Sequence, residues 1–146
     1  MNSRFMDEGL LLAKQAFDAG EVPVGAVVIK NGEIIARGRN RMKEKNCALA
    51  HAEIRALTKA MEHLGTERLE GCELYVTLEP CPMCAGAIVN SRISVLVFGA
   101  FDLKSGAVNS VEQMFSLPYN SRPEVYAGIK EKVCAGLLSD FFENLR

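Results

Sequence analysis

Leu74-Tyr75-Val76-Thr77-Leu78-Glu79-Pro80-Cys81-Pro82-Met83-Cys84-Ala85-Gly86-Ala87-Ile88-Val89-Asn90 reads as a strand over 74–78 that passes into a short helix over 82–90. Downstream, Ser94 to Gly99 reads as a further buried strand. A loop-rich stretch through Pro118, Asn120 and Pro123 then leads to a short strand at Glu124 to Ala127 and a last helix through Val133, Leu137, Leu138, Phe141 and Phe142. Upstream, Met6, Leu10, Ala13 and Phe17 recur at the spacing of one helix face, and Gly20 ends that helix. Val22 to Ile29 follows as a largely buried strand. Asn31-Gly32 is a two-residue hairpin turn that returns Glu33 to Arg39 antiparallel. A second helix begins near His51, with Ile54, Leu57, Met61 and Leu64 on its inner face and Gly65 as its stop. This order predicts an α/β protein, a three-layer α/β/α sandwich around a mixed sheet of about five strands.

The 146 residues are one domain's worth of chain, and 49% hydrophobic with 24% charged is the composition of an ordinary globular protein, which argues against disorder. Seventeen basic against eighteen acidic residues leave a net charge of −1, so the chain is no bulk polycation, although a local basic patch stays open. No apolar run approaches the ~20 residues that span a bilayer. The stretch Leu10 to Ala13 is too short for the core of a secretory signal, so a cytoplasmic location without membrane contact is expected. Five cysteines, an odd count, speak against a disulfide framework. Cys47, Cys72 and Cys134 are expected to be small buried apolar residues.

The other two cysteines, Cys81 and Cys84, lie three apart at the start of the short helix and project to one face, where exposed N–H groups favour thiolate over thiol. With His51 they make three soft or borderline ligands, which suits zinc and leaves a fourth tetrahedral position for water. His51 and Glu53 would splay by about 200° in mid-helix. At a first turn both can lean past the helix end, which puts Glu53 beside the metal as a proton carrier rather than a ligand. Alone, the His is more often a cap or a core residue, and a lone C-x-x-C fits a thioredoxin-like motif or half of a Cys₄ site. The two segments together point to a zinc hydrolytic site. His63, next to a helix end, reads as a favourable charge there.

His51-Ala52-Glu53 followed by Pro80-Cys81-Pro82-Met83-Cys84 resembles the zinc nucleobase deaminases of the cytidine deaminase-like fold. Within them the chain is most similar to the bacterial tRNA-specific adenosine deaminases. Val22-Pro23-Val24-Gly25-Ala26, Thr77 to Ile88, and Phe98-Gly99-Ala100 with Asp102 and Lys104 carry that closer likeness. Guanine deaminases typically have Gly-Pro-Phe-Gly where this chain has Val22-Pro23-Val24-Gly25. The resemblance implies a single zinc-dependent nucleoside deaminase domain over 1–146, a hydrolase acting on a C–N bond of a cyclic amidine. His51, Cys81 and Cys84 would bind one zinc ion per subunit, with Glu53 as proton shuttle. Asn40 would contact the flipped nucleoside, Ala52 would offer its N–H to the base, and Val24 would line the base pocket. Asp102, Lys104 and Phe142 would meet neighbouring anticodon-loop nucleotides. The implied reaction is conversion of the wobble adenosine of an arginine tRNA to inosine by a homodimer. An activated water attacks C6 while Glu53 protonates N1 and later the departing ammonia.

Some positions depart from that pattern. Cys47-Ala48-Leu49-Ala50 stands where an Asp-Pro-Thr-Ala run is more usual, so the helix start lacks its Thr hydroxyl and needs another partner. Arg37, Arg39, Arg41, Lys43 and Lys45 surround Asn40, opposed by Glu44. That patch reads equally as a phosphate-contacting surface or as a charged, protected hairpin edge. The other functions consistent with the residues are a deaminase of a free base or nucleoside, guanine or cytosine, and a non-catalytic zinc-stabilised RNA-binding module.

Overall fold

Asn31 and Gly32 adopt φ of 52° and 77°, the pair of left-handed residues that a type I′ hairpin turn requires. They join β1 (Gly25–Lys30) to β2 (Glu33–Arg39), and the two strands pair antiparallel. The computed structural model describes residues 1–145. The remaining elements are α1 (Arg4–Asp18), α2 (Met42–Lys45), α3 (Ala52–Leu64), β3 (Cys72–Leu78), α4 (Pro82–Ser91), β4 (Val95–Ala100), β5 (Glu124–Tyr126) and α5 (Glu131–Asn144). The strands form one sheet in the order β2-β1-β3-β4-β5. β1 pairs antiparallel with β3, whereas β3, β4 and β5 run parallel, which makes the sheet mixed. Parallel pairing of β3 with β4 follows from α4, the crossover that carries the chain back to the starting end.

Alternate residues along the central strands face opposite helix layers. Ala26, Val28, Leu74, Val76, Leu96 and Phe98 pack with Ala56 and Leu57 of α3 and Ile88 of α4. Val27, Ile29, Tyr75 and Val97 pack with Phe5 and Met6 of α1 and Cys134 of α5. Two helix layers thus cover the sheet, as the sequence predicts.

The buried helix faces include Met6, Ala13 and Leu57 as expected, but are centred on smaller residues. α3 turns Ala52, Ala56, Leu57 and Ala60 to the sheet, while Ile54, Met61 and Leu64 are only partly covered. Gly38 on β2 explains this: a Cβ there would stand 2.5 Å from the Ala52 carbonyl oxygen and 2.7 Å from the Ala56 nitrogen. Backbone therefore lies directly on backbone, and small residues must form the contact. α1 behaves alike. Its buried stripe is Phe5, Met6, Gly9, Ala13 and Ala16, with Leu10 and Phe17 at the margin, because a Cβ at Gly25 would collide with the Gly9 carbonyl. Three further details differ. β1 starts only at Gly25, a one-turn helix (α2) occupies part of the basic stretch, and Cys47 is exposed, unlike the buried Cys72 and Cys134. Among the described residues no helix is long and apolar enough to cross a membrane.

Candidate active site

α3 and α4 begin side by side, and each begins on a functional residue. His51 precedes α3 with φ −75° and ψ 152°, and Cys81 precedes α4 with φ −75° and ψ 174°. These extended conformations swing both side chains past the helix ends. Pro82 then occupies the first helical position, where its fixed φ suits the turn and its missing N–H is not needed. His51 Nδ1 lies 3.6 Å from the Sγ of Cys81 and 3.6 Å from the Sγ of Cys84. The three ligand atoms all fall within 4.8 Å of one another. Bonds of about 2.3 Å to sulfur and 2.0 Å to nitrogen, meeting at a tetrahedral angle, span about 3.6 Å. Donor chemistry and spacing both fit zinc.

The same proximity perturbs the titrating groups. Cys81 is held down to about 4, first by the Cys84 thiol donating to it, then by His51 and the Cys84 backbone N–H, against the opposing effect of burial. Cys84 is pushed strongly up by that shared contact and by its own burial. One proton is thus left on the sulfur pair, and a divalent cation ligated by both sulfurs would displace it. The hydrogen bond with Cys81 raises the His51 pKa, with burial opposing. Glu53 is 4% exposed, and burial pushes its carboxyl up to about 7. A group that titrates near neutrality both accepts and returns protons readily.

Asn40 supplies a partner for the first turn of α3. Its Oδ1 accepts the Ala52 N–H at 2.8 Å, and its amide donates to the Val22 carbonyl at 3.0 Å. An orphan donor of the α3 first turn is thereby satisfied by a side chain from the end of β2. The Ala52 N–H, which the resemblance would offer to the base, is donated to Asn40 in this structure. Asn40, and not Ala52, borders the cavity.

That cavity is small, about 130 Å³, with His51, Glu53 and Cys81 at its floor and Val24, Asn40 and Met42 along its side. Asp102 and Ser105 close it opposite, and both also border a neighbouring groove of about 730 Å³. Lys104 and Phe142 line only that groove, together with Phe101 and Leu103. The expected residues are therefore gathered in two adjoining spaces rather than one. The Asp102 carboxylate is engaged locally, accepting the N–H of Lys104 and of Ser105 at 3.1 Å each and the Ser105 hydroxyl at 2.8 Å. The basic patch is partly paired, since Glu44 meets Arg39 at 2.8 Å and Arg41 at 3.6 Å.

Reading the sequence alone passed over two residues at this site. Glu21 and Glu79 are each 1% exposed, and each collects backbone N–H groups of a loop bordering the cavity. The only sequence signal was an acidic residue touching an apolar strand run, Glu21 before Val22 and Glu79 after Leu78. Hydrogen bonds hold the Glu79 carboxyl below its ordinary pKa although burial, the largest single effect, pushes it up.

Residues 2–146 match the family described as MafB19-like deaminase. A tRNA-specific adenosine deaminase of Bacillus subtilis (strain 168) is 49% identical over 143 residues, which cover 97% of this chain and 89% of that protein. A structure from studies of A-to-I editing by tRNA:A34 deaminases at the wobble position of transfer RNA superposes with a TM-score of 0.91 at 47% identity, covering 93% of this chain and 99% of the other. A guanine deaminase from Nitrosomonas europaea superposes with a TM-score of 0.85 at 28% identity, covering 97% and 84%.

Proposed function

This chain belongs to the MafB19-like deaminase family and, within it, to the tRNA-specific adenosine deaminases, and on that premise we propose that it hydrolyses the wobble adenosine of a tRNA anticodon to inosine. The observation that carries the chemistry is Glu53, a buried carboxyl beside three ligating atoms at the catalytic cavity. A purely structural metal site has no use for such an acid. The non-catalytic RNA-binding reading is therefore set aside.

His51 Nδ1 and the two cysteine sulfurs would hold one zinc ion per subunit, and such an ion would supply the Lewis acidity that lets water ionise near neutral pH. Glu53 takes a proton from the attacking water and gives it to N1 of the adenine as the water oxygen bonds to C6. Glu53 then takes the proton of the new C6 hydroxyl and delivers it to the amino nitrogen, the C6–N bond breaks as the carbonyl forms, and ammonia leaves. One water is consumed for each inosine formed. Asn40, pinned between Val22 and Ala52, offers its remaining amide hydrogen to the base, and Val24 packs against the ring. The small cavity suits a single extruded base, and an anticodon loop supplies one already unstacked. Asp102, Lys104 and Phe142 border the adjoining groove, where flanking nucleotides would lie. The protein acts on an arginine tRNA in the cytoplasm, as a homodimer.

The experiment offers purified protein an anticodon stem-loop with adenosine at the wobble position and, separately, free adenosine, guanine and cytosine. Inosine formed from the RNA alone is the expected result. Turnover of free guanine without reaction on RNA would establish instead the second reading, which the fold similarity to a guanine deaminase favours.

A further inference from the structure

One side of the catalytic cavity is closed by the loop spanning 102–110, and that loop is gathered on a side chain the reaction itself does not use. Glu79 follows β3 directly and stands two residues before Cys81. Its Oε1 accepts the N–H of Asp102 at 3.1 Å and the hydroxyl of Ser110. Its Oε2 accepts the N–H of Val108 at 3.2 Å, of Asn109 at 2.7 Å and of Ser110 at 2.9 Å. Both ends of the loop thus converge on one buried carboxylate. Mid-loop, Gly106 lies against it so closely that a Cβ there would fall 2.5 Å from each carboxylate oxygen. The neighbouring residues add a second tie, because Ala107 donates its N–H to the Pro80 carbonyl at 2.9 Å.

An ionised carboxylate only accepts, so it matches five donors; an amide would turn its own NH₂ against some of them. The consequence reaches the substrate. Asp102 and Ser105, carried by this loop, form the rim of the cavity, and the same turn that bears Glu79 bears the metal-binding Cys81. We propose that Glu79 is a positioning residue for substrate capture, tying the 102–110 loop to the Cys81 turn so that the rim is preformed opposite the metal-binding side chains. The inference rests on the deaminase reading above. It concerns binding rather than the chemical step.

Glu79→Gln tests the tie from the carboxylate and Gly106→Ala tests it from the loop. The expected result in both is a rise of about tenfold in KM for the anticodon stem-loop, with kcat within about threefold of wild type. Zinc per chain stays as in the wild type. Amide hydrogen exchange at Val108, Asn109 and Ser110 accelerates by about tenfold, while β3 and β4 amides keep their protection. A merely structural role would lower zinc content and kcat together and leave KM in place; that outcome, or an unchanged KM in both variants, overturns the inference. Wild-type protein with no activity on RNA would overturn the functional reading instead, and the exchange measurement would still decide whether Glu79 holds the loop.

Discussion

At the floor of the catalytic cavity, His51, Glu53, Cys81 and Cys84 all leave the first turns of two adjacent helices, and helix geometry over three or four residues sets their directions. At the mouth, the rim is made of the one-turn helix α2 and the 102–110 loop, and each hangs on a buried carboxylate far away in sequence. Glu21 accepts the N–H of Lys43 at 3.1 Å and of Glu44 at 2.8 Å, which anchors the start of α2 and with it Met42. Glu79 does the same for the 102–110 loop. Local backbone makes the floor stiff, whereas the mouth owes its shape to a few long-range hydrogen bonds. Damage at the floor should therefore appear in the chemical step and metal content, and damage at the mouth in capture of the substrate.

The sharpest way to break this contrast is at the ligands. Cys84→Ala, or chelation of the wild type, should abolish inosine formation and lower Tm, and added zinc should restore only the chelated wild type. Next, Glu53→Gln should reduce kcat by about 10²–10⁴-fold while elemental analysis still finds zinc in place. Gly38→Ala probes the floor indirectly. The new Cβ would press on the Ala52 carbonyl and shift the α3 start, so kcat should fall by about 10–100-fold with little change in KM. If KM moved instead, the division between floor and mouth would fail. Glu21→Ala should leave kcat alone, raise KM by a few-fold, and lower stability by about 1–2 kcal/mol in denaturant melts, as expected when two donors are deprived of a charged acceptor. Reversing Arg39 and Arg41 to Glu should have the smallest effect on turnover but weaken tRNA binding and flatten its dependence on salt, by about one unit of slope for each phosphate no longer neutralised. An unchanged slope would assign these side chains to the hairpin edge and to Glu44.

Much of this architecture is readable without coordinates, and the misreadings share one cause. Asn31-Gly32 identified the hairpin because only residues that tolerate positive φ form its turn. The His51, Cys81 and Cys84 cluster was legible because residue type and helix position together restrict what such side chains can do. The inner faces of α1 and α3 were legible only in part: Met6, Ala13 and Leu57 are buried as expected, but the small residues that Gly25 and Gly38 require where the backbones meet do not stand out in a pattern dominated by large apolar side chains. The acceptor of the Ala52 N–H, Asn40, was not legible because it comes from a different element.

The class of chemistry, the order of elements along the chain and the candidate metal-binding set were legible in the amino-acid sequence itself, because residues a few positions apart on one helix have directions set by their own backbone. The helix faces pressed to the sheet, the acceptor for Ala52 and the work of Glu21 and Glu79 were decided only by tertiary structure. A buried carboxylate takes whichever N–H groups the fold delivers to it, here from positions 22 to 31 residues away, and nothing in its own neighbourhood names them.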